Sequence, residues 1–340
     1  MGLFDWLWNR KSGQGAEAAA VDAAVEHLVD AMDPRLRMVD GYARKLRPAA
    51  LLALNQLDAV VGEIPGPVEF SRASWAQDPL VRALFASPQA MAHAFSAEPV
   101  VQEFFAAAEN ARDEQCCIAL FVSQEQKTSL GFALQGDVLQ SDVVCRSVSF
   151  SDHRLTRPST TDAGVRAGLR DLGLEYLANQ ALESITGSRN RRQMLEEERS
   201  LLALRLSTRC RFDQALESLL EQGRPGDTDA EAMQRQLEDT QRRLAALGTP
   251  PRTLDEYLDF LQNVLAHAAD YIAIGTREMR LDPMNMLVDD PASQAASLKL
   301  CEIRADGRPP RTVAIARFPR HELLSKPALE AAAYRDHPLL

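Results

Sequence analysis

The spacing of apolar residues predicts helices over the first third of the chain. Val21, Val25, Leu28, Val29 and Met32 recur at three- and four-residue steps, as on one face of an amphipathic helix. Three segments that follow, DPLVRALFA, SPQAMAHAF and SAEPVVQEFF, each begin with Asp or Ser shortly before a proline. Such residues cap helix N-termini, so we predict a helical region over residues 16–113.

The apolar period then changes from that of a helix to that of a strand. The segments CIALFVS, SLGFALQ, DVVCRSVSF and HRLTRP are short, rich in Val, Leu and Phe, and separated by polar stretches such as QEQKT and QGD. This pattern predicts an antiparallel β-meander over residues 114–158.

Helical periodicity returns over residues 159–274. A heptad seam is the clearest part of it, with alternating steps of three and four between Ala230, Met233, Leu237, Thr240, Leu244 and Leu247. Helix-stopping and capping residues in GRPGDTD separate the seam from a long charged segment, which predicts a helical hairpin over residues 190–247. The seam would either pack within this hairpin or recruit a partner helix or a second copy of the chain.

The C-terminal region predicts further strands. The turn ADGRPP separates SLKLCEIR from RTVAIARF, and this pattern predicts a β-hairpin. We therefore assign strands to residues 275–324 and a tail to residues 325–340. A two-stranded hairpin is rarely stable alone, so these strands are expected to join the meander in one sheet. The predicted fold is α+β and predominantly helical, with a long helical hairpin between the two groups of strands.

The N-terminal residues 1–15 form a tether and linker by sequence. Large apolar residues crowd the segment GLFDWLWNR: Leu3, Phe4, Trp6, Leu7 and Trp8. On a helix they share one face opposite Asp5 and Asn9, and the run KSGQGA that follows is typical of a flexible linker. A helix this short is unstable in water alone, so we expect it to dock on its own fold, on a membrane surface or on a partner protein.

Composition and charge argue against several classes of protein. The formal net charge of -10 opposes binding to nucleic acid. The five cysteines include no CxxC pair and indicate reduced thiols. There is no signal-peptide pattern and no apolar run long enough to span a membrane, and arginine greatly outnumbers lysine. We expect a bacterial cytoplasmic protein, peripheral at the inner membrane face if the tether binds lipid.

The search for chemical motifs yields only weak candidates. A P-loop, a GxGxxG loop, a GxSxG elbow and an HExxH motif are all missing from the sequence. The six histidines have no metal-ligand spacing, so no metal and no cofactor is predicted. The segment SDHRL brings His153 and Arg154 to a predicted strand end, and His267 and Asp270 lie on a helix before the last strands. These four residues are the candidates for acid–base catalysis.

Two hypotheses follow. The first is a non-enzymatic interaction or adaptor protein that attaches through its N-terminal segment to a membrane or a partner. In this hypothesis the heptad seam could also bind a second copy of the chain and form a homo-oligomer. The alternative is an enzyme or small-ligand-binding protein with a site at the junction of sheet and helices near His153 and His267. The vicinal pair Cys116 and Cys117 is expected to point one thiol into the core and the other outward.

Overall fold

The computed structural model of the chain describes two compact units. It covers the backbone of residues 3–135, 138–217, 228–247, 251, 253–288 and 295–325, and the side chains of residues 18–130, 144–209, 231–247, 251, 253–288 and 295–325. The first unit comprises Met1–Ala50 and Glu175–Ala266, and the second comprises Leu51–Leu174 and His267–Leu340. Two of the three boundaries fall inside α-helices, at residues 50–51 and 174–175, so these two helices contribute to both units.

In the sequence, the α-helices lie before and between the strands. In chain order they are α1 (Leu3–Met32), α2 (Tyr42–Gly62), α3 (Arg72–Gln77), α4 (Pro79–Leu84), α5 (Pro88–Ala97), α6 (Pro99–Ala106), α7 (Asp162–Glu217), α8 (Thr228–Ala246), α9 (Leu254–Ala266) and α10 (Ala268–Tyr271). The strands are β1 (Val68–Glu69), β2 (Gln115–Gln135), β3 (Val138–Ser159), β4 (Ile272–Leu281), β5 (Ala296–Ala305) and β6 (Arg311–Pro319).

The first unit is helical, and the predicted apolar stripe of α1 lies in its core. Val25, Leu28 and Val29 are buried, as their three- and four-residue spacing requires. Charged groups tie α1 to the chain that follows it: the Arg37 guanidinium donates to Glu26 at 2.9 Å and to Asp30 at 2.7 Å. Because these pairs are exposed to solvent, they fix the path of the turn and add little to stability.

Helix α9 packs in the same unit against α2 and α7. Leu258, Leu261, Val264 and Leu265 form its buried face. Lys45 of α2 pairs with Asp255 at 2.8 Å, and the Arg189 guanidinium of α7 lies 5.3 Å from the centre of the Tyr257 ring. Contacts from both α2 and α7 therefore hold α9 in this unit.

The second unit is built on a six-stranded sheet in the order β3-β2-β6-β5-β4, with β1 paired to β6. All neighbours are antiparallel except β1, which runs parallel to β6 through Val68 and Ala316. The sheet curls, because the segment after β4 bonds back to β3: Leu287 N–H donates to the Arg146 carbonyl at 2.7 Å. The predicted α+β fold, with central and C-terminal strands in one sheet, is confirmed.

Helices cover both faces of this sheet. On one face, Ile118 and Leu120 pack with Phe95 and Phe318, whose rings stack with centroids 4.6 Å apart, against α3–α6. On the other face, Ala119 packs against residues of α2 and α7. The Arg166 guanidinium of α7 donates to the carbonyls of Val61 at 2.5 Å and Ile64 at 2.9 Å at the end of α2.

Several details differ from the sequence prediction. The four short strands of the expected meander are two long strands, because the polar segment QEQKT continues β2 and does not end it. The predicted helical hairpin is confirmed as α7 and α8, but α7 begins at Asp162 and not near residue 190. The strand β1 was not predicted. The backbone of KSGQGA is helical within α1 and is not a break in it.

Some predicted features lie outside the described residues. These are the loop between α7 and α8 at residues 218–227 and the tail from residue 326 onward. The side chains of the N-terminal tether belong to the same category, although its backbone from Leu3 is part of α1.

Candidate functional site

The predicted catalytic residues of the SDHRL segment lie inside β3 and not at its end. Asp152 adopts a φ of 50°, where a bulge offsets the pairing of β3 with β2. Its carboxylate accepts hydrogen bonds from Arg154, at 2.8 Å, and from Arg311 of the neighbouring hairpin. These bonds to two guanidinium groups, that from Arg311 first, hold the pKa of Asp152 below its ordinary value. The carboxylate and Arg154 thus hold the bulge in place.

His153 packs as a half-buried aromatic side chain. Its Nε2 lies 2.8 Å from the carbonyl oxygen of Leu84, and its ring stacks on Phe85 with centroids 4.3 Å apart. Burial disfavours the imidazolium, and this lowers the pKa of His153. The ring is therefore neutral at pH 7, and its Nε2–H donates a hydrogen bond to the Leu84 carbonyl. This nitrogen is occupied by a structural hydrogen bond.

His267 and Asp270 lie at the other end of the strand order from His153. His267 immediately precedes the short helix α10, which leads into β4. Strand β3 is the first strand of the path and β4 the last, with β2, β6 and β5 between them. The candidates therefore lie on elements that are not neighbours in the sheet, and an active site that uses both histidines remains a prediction.

The vicinal cysteines point to opposite faces of β2, as strand alternation predicts, but both are buried. Cys116 lies in the core against α3–α6, and Cys117 lies in the core against α2 and α7. Burial raises the pKa of Cys116 to about 12, and it raises the pKa of Cys117 as well. The expectation of one outward thiol was wrong, because the sheet is covered on both faces. Thiolates at these positions are strongly disfavoured at neutral pH.

One open polar depression of about 440 Å³ lies at the end of β2 and β6. Its lining includes the carboxylates of Glu69, Asp113 and Glu114 together with Arg112 and His321. The Glu69 carboxylate already accepts a hydrogen bond from Ser71 at 2.7 Å. Among the residues whose side chains the structure describes, no group of three or more His, Cys, Asp or Glu side chains is placed to hold a metal ion.

An unpaired apolar surface runs along α7 in the helical unit. We call Met194, Leu201 and Leu204 the α7 surface. Their side chains are 70%, 48% and 63% exposed, respectively. Successive spacings of seven and three place all three on one side of the helix. The buried residues of the same stretch, Leu195 and Leu202, are rotated about the helix axis by about 100° from Met194 and Leu201.

A groove lies along one flank of the α7 surface. It has a volume of about 610 Å³, and Met194 and Arg243 line it together with Gly187, Asn190, Arg191, Leu195 and Glu198. Because Arg243 belongs to α8, this groove runs between the two helices of the hairpin. Its α7 wall carries opposite charges at Arg191 and Glu198, seven residues apart. Arg205 follows at the same interval along α7, beyond the residues that line the groove.

Sequence reasoning missed the α7 surface. The heptad seam of α8 was recognised, and its Thr240 and Leu244 are buried, whereas the segment that contains Met194 is less regular. The signal was present as the seven-residue step from Met194 to Leu201. Apolar residues one position away, Leu195 and Leu202, repeat with the same step, so the pattern alone does not tell which set faces the core.

Comparisons with known proteins add no family or function. No protein-family model, no curated protein and no solved structure matches this chain. In the part of the chain that the structure describes, every helix is too short or too polar to cross a bilayer.

Proposed function

We propose that this chain is a non-enzymatic adaptor protein that binds an amphipathic helix of a partner protein on the α7 surface. The observation that carries the proposal is the exposure of Met194, Leu201 and Leu204 together on one side of a long helix. Scattered exposed apolar residues are normal on proteins, but a stripe at heptad spacing is the pattern that a second helix covers.

The shape and the charges beside this surface favour a helical partner. The groove between α7 and α8 runs beside Met194 and is open to solvent, as helix-in-groove recognition requires. Arg191 and Glu198 line this groove, and with Arg205 further along α7 they give charges in the order plus, minus, plus at seven-residue spacing. A bound helix with the order minus, plus, minus at the same spacing would pair with all three, and such flanking charges select partner and direction.

The N-terminal segment supplies a second attachment in this proposal. Leu3, Phe4, Trp6, Leu7 and Trp8 would bind a membrane surface, with Arg10 and Lys11 near the lipid phosphates. The protein would then act at the cytoplasmic face of a bacterial inner membrane and hold the partner there. Support for this part comes from the amino-acid pattern alone.

Site-specific photo-crosslinking in cells tests the α7 surface. A benzophenone side chain is introduced at position 201 of the full chain and, as a matched control, at Arg199, which is exposed on the opposite side of the same helix turn. We expect one discrete crosslinked protein from position 201, shared with position 194 and missing from position 199. Crosslinks of equal yield at 199 and 201, or no crosslink at 194 and 201, would refute the proposal.

Liposome co-sedimentation tests the N-terminal part separately. The full chain is compared with a Trp6→Ala, Trp8→Ala variant on vesicles with and without anionic lipid. We expect only the natural chain to pellet, more strongly with anionic vesicles because of its two adjacent basic residues. If neither protein pellets, membrane attachment is wrong, while the prediction for the α7 surface stands or falls with the crosslinks.

A further inference from the structure

The β2–β3 hairpin extends beyond the rest of the sheet. Strand β2 pairs with β6 only from Gln115 to Ser123, yet its pairing with β3 continues out to Gln135 and Val138. We call residues 124–135 and 138–149 the arm. Only its base has another described neighbour, where Ser147 bridges to Met286. The arm is thus a two-stranded ribbon for most of its described length.

Two large apolar side chains lie opposite each other on one face of the arm. Leu130 of β2 pairs directly with Val144 of β3, and their side chains are 70% and 62% exposed. Strand alternation places Leu130 on the same face as Leu120 and Val122, which are buried in the core nearer the base. The apolar face of the sheet therefore continues along the arm. At Leu130 and Val144, the described residues no longer cover this face.

The sequence of the arm continues this alternation. In SLGFALQ, the large apolar residues Leu130, Phe132 and Leu134 alternate with small or polar ones. Such an alternation is typical of a strand with one buried face. A ribbon with both faces in solvent would be expected to carry polar residues on both faces. Two-stranded ribbons are marginally stable alone in water and require a cover on their apolar face.

We propose that a second copy of this chain covers the arm, with the apolar faces of two arms stacked about a two-fold axis. Charge favours this occupant. The arm contains two acidic and two basic residues, a formal charge of zero, in a chain whose charge is -10. Two copies therefore meet with least repulsion at their arms, and an anionic membrane or a nucleic acid finds no basic patch there.

The sequence of the arm lacks the residues that usually prevent an exposed β-ribbon from associating. Residues 124–149 contain no proline, and prolines and clustered charges are the usual protection of an exposed edge. In an isologous dimer the same surface of both copies forms the interface, so stacking of two arms would cover the apolar face of each. This inference is independent of the α7 surface.

The size of the arm sets the expected affinity. At ~3.4 Å per residue, a strand of the arm spans about 40 Å, and the ribbon is about 10 Å wide. Two stacked arms then bury on the order of 800 Å², which is at the weak end of specific interfaces. We expect a dimer with a dissociation constant in the micromolar range.

Sedimentation velocity of the full chain from 1 to 200 μM tests the proposal. The natural chain is compared with Leu130→Lys, Val144→Lys and with a control, Ser129→Lys, Ser149→Lys, which adds the same charge to the opposite face of the same strands. We expect the natural chain and the control to dimerise, and the apolar-face variant to sediment as a monomer at all concentrations. Circular dichroism must show equal folding of the three proteins.

Disulfide trapping provides a second readout that does not depend on weakening the arm. In a Cys145→Ser background, Leu130→Cys is expected to give an oxidised covalent dimer, and Ser129→Cys is expected to give none. A natural chain that stays monomeric at 200 μM would overturn the inference. So would a dimer that the apolar-face variant retains, a dimer that both lysine variants lose equally, or equal trapping at positions 129 and 130.

Discussion

Two glycines in the long helix α7 are predicted to respond to alanine in opposite ways. A Cβ atom added at Gly173 would lie 2.4 Å from Cδ2 of Leu57, a residue of α2 that is 2% exposed. A Cβ added at Gly187 would meet no atom within 4 Å. Both glycines have helical backbone conformations, so the helix itself accepts alanine at either position.

The expected magnitudes follow from two opposing effects. Replacing a helical glycine by alanine stabilises the folded state by about 1 kcal/mol, because glycine loses more backbone entropy on folding. At Gly187 nothing opposes this gain. At Gly173 the buried Leu57 side chain must move in a packed interface, and such overpacking costs about 1–3 kcal/mol. We therefore expect Gly187→Ala to raise the free energy of unfolding by about 1 kcal/mol and Gly173→Ala to lower it by up to about 2 kcal/mol.

Urea unfolding followed by circular dichroism at 222 nm measures both variants, and a double-mutant cycle isolates the contact. Leu57→Ala alone leaves a cavity and costs about 2–5 kcal/mol. In that background Gly173→Ala no longer clashes and should stabilise the protein. Equal stabilisation by both alanines, or no coupling between positions 57 and 173, would show that α2 and α7 do not approach as closely as the structure has them.

Two further predictions concern titratable groups, and one concerns a loop anchor. Because burial lowers the pKa of His153 from its ordinary value of 6.5, the unfolded chain binds a proton there that the folded chain does not. The free energy of unfolding should thus fall as the pH drops below about 6.5, and His153→Phe should reduce this loss; an unchanged pH dependence would contradict the packing of the ring. Among the described cysteines, Cys145 is partly exposed and Cys116, Cys117 and Cys301 are buried. In a Cys210→Ser background, which leaves only these four thiols, Cys145→Ser should therefore remove the fastest reaction with Ellman's reagent under native conditions. Arg320→Ala should cost about 2–3 kcal/mol in urea unfolding, because its guanidinium donates to the carbonyls of Phe105, Asn110 and Asp113; a smaller loss than that of Arg35→Ala on the surface would be inconsistent with this role.

Local signals in the sequence predicted much of the secondary structure. Asp78 and Ser87 were expected as helix caps, and their side chains accept hydrogen bonds from Leu80 N–H at 2.8 Å and Ala90 N–H at 3.0 Å. The third expected cap, Ser96, is instead buried near the end of α5, and the next helix begins at Pro99. Caps depend on neighbours within four residues, so they are visible in the sequence.

Long-range pairing was harder to predict. The polar segment QEQKT predicts a break between two strands, but it continues β2, because polar residues are compatible with a strand that solvent reaches on both faces. The position of Cys117 was missed for a related reason. Whether the second face of a sheet is covered depends on helices that are distant in sequence, here the end of α2 and the start of α7.

The candidate surfaces also depend on tertiary structure. The sequence shows that Met194, Leu195, Leu201 and Leu202 repeat with a heptad step, but only packing determines that Leu195 and Leu202 are covered while the other two are exposed. Likewise, SLGFALQ was recognised as a strand with an apolar face. However, the sequence does not show that β6 stops pairing with β2 at Ser123, opposite Arg311. Leu130 lies beyond this point and has no neighbour from β6.

Binding of the partner's own helix to the full chain tests the adaptor hypothesis most directly. The segment crosslinked to position 201 is synthesised as a fluorescent peptide, and its affinity is measured by anisotropy for the natural chain, for Met194→Gln, Leu201→Gln, Leu204→Gln and for the control Arg199→Gln. Each apolar side chain lost from the interface weakens binding by about 1 kcal/mol or more, so the triple variant should bind at least about a hundredfold more weakly. The control should bind as the natural chain does. Equal affinity of the triple variant and the natural chain would contradict the role of the α7 surface.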